Sequence, residues 1–184
     1  MIEREQYLST NNPRTSFTLI ELLVAVAIIA LLTMITIPAF SGFTKRQTLY
    51  QAAKDLKTEL RATQNRTVSG VVVEVGSEKR GRWGIHFAAG AKFYEIFATT
   101  DSLVYSSDRV RATKTLPSNI PISAVLPNAA GSANVIFNRF NGEAGFYDNN
   151  GNPLTGSTLT VTLLLSGTPP ASVIVERGGK IYEQ

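Results

Sequence analysis

The chain has 184 residues, with 18 Lys and Arg against 14 Asp and Glu, a formal net charge of +4, one histidine and no cysteine. That length carries one ordinary hydrophobic core with a long extra helix, and not two sizeable cores. Without cysteine there is no disulfide framework and no thiolate chemistry; the lone His86 argues against a zinc site, and so small a positive balance is not a nucleic-acid signature by itself.

Residues 1–16 are polar, contain Pro13, and read as a leader that lies outside the fold. Residues 22–44 carry no charge, and 22–40 are apolar except for Thr33, Thr36 and Pro38. At about 1.5 Å per residue a helix over 22–40 reaches roughly 28 Å, which matches a hydrocarbon core of about 30 Å. Glu21 sits at the N-terminal lip of this run, and a carboxylate in hydrocarbon costs on the order of 3 kcal/mol unless it is partnered, so Glu21 is a functional candidate. A secretory signal ending at Ala39-Phe40-Ser41 competes, but its apolar core would be shorter, and Glu3 and Glu5 interrupt the positive flank it needs. A plain single-span anchor explains the length and leaves Glu21 without a reason.

The run Phe17-Thr18-Leu19-Ile20-Glu21-Leu22-Leu23, with Pro38 later in the helix, resembles the class III signal of type IV pilins and type II secretion pseudopilins. The resemblance implies that a prepilin peptidase cuts between Ser16 and Phe17 on the cytoplasmic face and methylates the new amino terminus on Phe17. It further implies that Glu21 is the assembly residue, accepting the Phe17 amine of a neighbouring subunit so that two charges neutralise each other in a low-dielectric core. The family prefers Gly before the cut, and this chain has Ser16. Pro38 removes a helical donor, and reads either as a kink or as the end of the helix. Counting Lys45 and Arg46 after the span against Arg4 and Arg14 before it puts the C-terminal side in the cytoplasm. The resemblance implies the reverse, and the motif is the more specific of the two signals.

Beyond the span, Leu49, Ala52, Ala53, Leu56, Leu60 and Thr63 recur at helical spacing between charged residues, which predicts one helix over about 17–67 with Gly70 near its end. Strands are predicted from there on: 71–75, a hairpin tip over 76–81, and a return strand over 83–87. Further strands are predicted over 92–98, 103–105, 109–113, 120–125 and 134–137. The clearest are 159–165, 172–176 and 180–182, separated by Gly and Pro turns. Ile136, Phe137, Gly142, Val173, Ile174, Val175, Gly179, Lys180 and Ile181 look like the GspH/FimT branch, which implies a small β domain behind the pilin helix.

On that domain, Lys79, Arg80, Arg82 and Trp83 form a basic and aromatic patch able to track a phosphate backbone and stack a base. A solvated hairpin tip with Trp83 in the core is the preferred reading. Arg109, Arg111 and Lys114 read as charges protecting a sheet edge. Asp148-Asn149-Asn150-Gly151-Asn152 has alternating oxygens as a calcium loop does, but position 159, where a bidentate Glu would stand, is Leu159, and a turn is the preferred reading. His86 reads as structural, and no nucleophile elbow or phosphate loop is present.

The expected fold is α+β: a long N-terminal helix whose first half spans the membrane, packed on an antiparallel β-sheet domain. The divisions are a leader at 1–16, a transmembrane or filament-core half at 17–44, an amphipathic half at 45–68 and a β domain at 69–184. The expected function is a structural subunit of a type IV pilus or type II secretion pseudopilus, not an enzyme, with no cofactor and no metal. The alternatives are a minor pilin whose β domain binds DNA or a surface ligand, and an uncleaved single-span anchored protein. The implied partners are like or related pilin subunits, the prepilin peptidase, an inner-membrane platform with its ATPase motor, and lipid before assembly; nucleic acid is the less favoured partner. The implied location is the inner membrane with the C-terminal domain outside the cytoplasm, then an extracellular or periplasmic filament.

Overall fold

The computed structural model describes residues 17–75, 78–100, 103–127 and 131–184. Its backbone divides into two compact units, Met1–Phe40 and Ser41–Gln184. Helix α1, Leu19–Val68, begins in the first and ends in the second.

In the first unit Thr18 is the N-cap of α1. Its carbonyl accepts the Leu22 N–H at 3.2 Å and its hydroxyl accepts the Glu21 N–H at 3.3 Å, so one of the orphan donors of the first turn is satisfied. Every side chain from 17 to 34 is exposed. The helix runs on through position 38, but the side chains of 35–41, Pro38 among them, lie outside the described residues, as does Ser16. Among the described residues no helix is long and apolar enough to cross a membrane; the side chains of α1 are described up to Met34 and again from Gly42.

In the second unit Leu49, Ala52, Ala53, Leu56 and Leu60 are all buried while Gln51, Lys54, Asp55 and Thr58 are exposed, the pattern of a helix with one face on a core. The helix stops at a Schellman turn: Gly70 takes φ +70°, its N–H reaches the Thr67 carbonyl, and the Val71 N–H reaches the Arg66 carbonyl at 3.0 Å.

Among the described residues eleven strands follow: β1 Val73–Val75, β2 Glu78–Arg80, β3 Arg82–Ala88, β4 Phe93–Thr99, β5 Val110–Thr115, β6 Ile122–Leu126, β7 Ser132–Phe137, β8 Ala144–Tyr147, β9 Thr158–Leu163, β10 Ala171–Glu176 and β11 Ile181–Glu183. All their pairings are antiparallel. A five-stranded sheet has the order β5-β4-β3-β7-β8 and a four-stranded sheet the order β11-β10-β9-β6, with β1 and β2 as a separate hairpin. One apolar cluster joins Leu49, Leu56 and Leu60 of the helix to Ile85, Val135 and Phe146 of the larger sheet and Val161, Val173 and Ile181 of the smaller. Gln64 adds a polar tie: its amide donates to the Gly142 carbonyl at 2.7 Å and the Gly179 carbonyl at 3.0 Å, holding two turns to the helix.

Three strand expectations need correcting. Residues 83–87 are not the return strand of the first hairpin, because Glu78–Arg80 takes that place. Ile85 and Phe87 have no exposed surface and His86 has 9 %, so β3 is covered on both faces and sits centrally, between β4 and β7. Residues 103–105 form no strand; Tyr105 instead turns inward to Glu95 and His86, and the Val104 carbonyl accepts from Arg109 Nη1 at 2.9 Å. Strand β8 was not expected, since Gly145 breaks the alternation, and the Tyr147 ring lies over that glycine in place of a side chain.

Candidate functional site

Two places concentrate chemistry. The first is the start of α1, where Phe17 precedes the helix and is 81 % exposed, Thr18 caps it, and Glu21 occupies the third helical position. The spacing Thr18-x-x-Glu21 is that of a capping box, in which Ser or Thr at the cap and Glu three residues on serve the helix start. The carboxylate also lies in the first turn, where the positive end of the helix dipole favours it. Glu21 thus stands where a carboxylate favours the helix start, although the bond seen there is from its backbone N–H to Thr18. The signal for that local role stands in the sequence as plainly as the apolar run, and only the cap geometry draws attention to it.

The second is the end of the β domain where α1 stops. Lys79 projects from β2 and pairs with its cross-strand neighbour Glu74, Nζ to Oε1 at 3.3 Å, with both side chains exposed. Arg82, half-buried, begins β3; the Arg80 side chain lies outside the described residues. Trp83 is 7 % exposed, its indole N–H donates to the Val71 carbonyl at 2.8 Å, and its backbone N–H donates to Thr67 Oγ1 at 3.1 Å. The Arg66 guanidinium lies 5.8 Å from its ring centroid. Trp83 is thus a core residue that ties the helix end to β3, and it offers no face to a base.

Lys79 and Arg82 open instead on a cavity of about 170 Å³, shared with Thr99, Thr100, Arg139 and Phe140. Arg139 and Phe140 come from the turn between β7 and β8. A Cβ placed on Gly81 would sit 3.4 Å from the Arg139 guanidinium, so this cation lies against the backbone between β2 and β3. The turn is pinned by its own polar residues: the Phe140 N–H donates to Asn138 Oδ1 at 3.0 Å, the Glu143 N–H to Asn141 Oδ1 at 3.2 Å, and the Gly142 N–H to the Asn138 carbonyl at 3.0 Å, with Gly142 at φ +71°. Phe140 is 92 % exposed on this fixed turn. Neither Arg139 nor Phe140 stands out in the sequence, except that Asn138-Arg139-Phe140-Asn141 puts an aromatic in an otherwise polar turn.

The remaining candidates are structural. His86 Nδ1 and Asn134 Oδ1 lie 2.8 Å apart, and its ring stacks on Tyr105 at 3.9 Å between centroids. Burial holds the imidazole below its ordinary range, against the opposing pull of Asn134 and of the Glu95 charge. Tyr105 donates to Glu95, and burial first, then that bond, push its phenol above the usual range. Asp148 spends its carboxylate inside its own loop, accepting the Asn150 and Asn152 N–H groups and the Asn152 side-chain amide at 2.8 to 2.9 Å, which holds it below the usual carboxylate range. Among the described residues no cluster of acidic and histidine side chains is arranged to hold a metal ion. Strand β5, carrying exposed Arg111 and Lys114, is an edge of the larger sheet.

Residues 11–37 match the prokaryotic N-terminal methylation motif. No curated protein and no solved structure matches the chain. The motif supports a type IV pilin-like protein, and it coincides with the capped start of α1 and the exposed apolar side chains that follow.

Proposed function

We propose, from the premise of a type IV pilin-like chain, that this is the precursor of a filament subunit. A prepilin peptidase cuts it between Ser16 and Phe17 and methylates the Phe17 nitrogen. The first half of α1 holds it in the inner membrane, with the β domain outside the cytoplasm. An assembly platform and its motor then pack it with like or related subunits into a pilus or secretion pseudopilus.

The observation that carries this reading is the motif match together with a run of side chains, 17–34, that are all exposed and nearly all apolar, with Glu21 as the only ionisable one. Such a surface needs lipid or other helices to cover it. Replacing lipid by neighbouring helices exchanges one apolar environment for another, so the Glu21 charge contributes register rather than most of the attraction.

Mass and N-terminal sequencing of the protein from its native membrane test the processing. The expected chain begins at Phe17 and is heavier by one methyl group. A chain beginning at Met1 would leave an uncleaved anchor, and one beginning at Gly42 a secreted β protein. Glu21→Gln separates the two roles of that side chain, because an amide still serves a capping box but carries no charge. The variant is expected to insert in the membrane normally and to fail to enter filaments; incorporation at the wild-type level would reduce Glu21 to a helix-starting residue.

A further inference from the structure

We propose that the groove between α1 and strand β5 receives the opposite flank of α1 from a second copy of this chain, with Lys54 of that copy set on Asp55 beside the Tyr94 hydroxyl. The proposal rests on the reading of a filament subunit and names a contact within the filament. The groove holds about 300 Å³ and is lined by Asp55 and Glu59 from the helix, by Tyr94 and Lys114, which face each other across β4 and β5, and by the apolar Leu56 and Leu116. Glu59 is already paired with Arg66 at 3.1 Å. Asp55 is exposed, accepts the Gln51 amide at 2.8 Å, and meets no cation among the described residues. Tyr94 is the second mark of a binding surface. It is 6 % exposed, yet among the described residues no hydrogen bond reaches its hydroxyl. Burial first, then the charges of Glu59 and Asp55, push this phenol up to about 12, so it stays protonated in the field of both carboxylates. Buried hydroxyls are seldom left without a partner, and an ammonium entering the groove would donate to this one and to Asp55 together.

The same helix carries the complement. At about 100° per residue, Arg46, Tyr50 and Lys54 fall on one flank of the buried stripe of α1, and Asp55 and Glu59 fall on the other. Arg46 and Lys54 are exposed and have no ion-pair partner among the described residues. Lys54 lines a second cavity, of about 290 Å³, with Tyr50 and Glu183, and Glu183 pairs with Lys57 at 3.1 Å. The groove therefore sets Asp55 near an unpaired Lys114, and the flank sets Lys54 near Glu183, so the two surfaces match in both signs. Lys54 and Asp55 differ by one residue, about 1.5 Å of helix rise, so parallel copies standing nearly level bring them together. Because the two surfaces lie on opposite flanks, the contact is heterologous, and each added copy leaves a groove and a flank for the next. One ion pair at an open surface is weak, and it acts between copies whose helices already lie side by side.

The chain has no cysteine, so two can be placed at will. Gln47→Cys on the flank and Thr115→Cys in the groove are both at exposed positions. Sheared filaments containing the full chain with both changes are treated with a short bismaleimide, and the products are sized and identified by mass, per cell. A ladder of dimers, trimers and longer products of this chain is expected, and neither single-cysteine variant should give one. Asp55→Lys or Lys54→Glu should thin the ladder by about tenfold or more, and the two reversals together should restore it. Tyr94→Phe, which keeps the ring, should thin it by about threefold or more. Far-ultraviolet circular dichroism of each variant in detergent confirms that the fold is intact. Absence of the wild-type chain from filaments would overturn the filament reading and this proposal with it. Filaments that contain the chain overturn the proposal alone if they give no ladder, a dimer that goes no further, or adducts only with a different subunit. So does a ladder indifferent to either reversal or to Tyr94→Phe, or one that the combined reversals do not restore.

Discussion

At His86 a buried polar ring is satisfied by one amide and one aromatic face. The ring is covered by Tyr105, held by Asn134, and faces Glu95 across the sheet, with Asp148 bound to the far side of Asn134 through its carbonyl. Because burial lowers its folded pKa, the unfolded chain takes up a proton at a pH where the folded chain does not. Stability is then complete above the unfolded value, near 6.5, and is lost as pH falls from there toward the lower folded value. Urea unfolding midpoints across that window are expected to fall with pH in the wild type. His86→Gln, which can still bond Asn134 but cannot titrate, should flatten that dependence; an unchanged slope would assign it to carboxylates instead. Gln64 shows the same economy at this scale. One amide closes two turns, and a Cβ on Gly179 would come within 2.6 Å of the Gly142 carbonyl, so Gly179 is needed for the two turns to approach each other.

At the scale of elements, β3 is the strand that the domain is built upon, and Gly84 is what allows it. A Cβ there would meet the Val135 carbonyl at 2.6 Å and the Phe97 ring at 2.8 Å, both from neighbouring strands packed at full density. Gly84→Ala should therefore destabilise the domain by about 1–3 kcal/mol through overpacking, read as a lower urea midpoint at unchanged slope. A midpoint within error of wild type would mean that Phe97 rotates away without cost. The elements legible in the sequence are those whose signal is local. The amphipathic half of α1 declares itself by Leu49, Leu56 and Leu60, and the final strands by alternation of Leu159, Val161 and Leu163 with threonines. The central place of β3 was not legible, because burial on both faces arises from β4 and β7, and Val71 to Phe87 read alone is compatible with a simple hairpin. The cavity was half legible: Lys79 and Arg82 lie three positions apart in the chain, while Arg139 and Phe140 arrive through the β3–β7 pairing, which no local pattern specifies.

At the scale of the whole molecule, the residues that form the core and the exposed apolar side chains that begin α1 are separate sets. The earliest described buried side chain is Leu49, and the apolar cluster that joins helix and sheets draws all its members from Ser41–Gln184. The exposed apolar side chains of 17–34 contribute nothing to that cluster, so their burial is left for lipid or for other subunits. On the proposed function, such a division would let the β domain reach its native state before the helix changes environment, and would let the subunit leave a membrane without unfolding. It leads to a direct expectation for a chain of residues 41–184 alone. This fragment should be soluble and monomeric, unfold in one cooperative transition, and share the full-length midpoint in detergent, because it keeps every described core residue. It should also be absent from filaments when expressed beside the full chain. A fragment that melts broadly or aggregates would show that the first forty residues supply part of the core, and folding and assembly would then be one process rather than two.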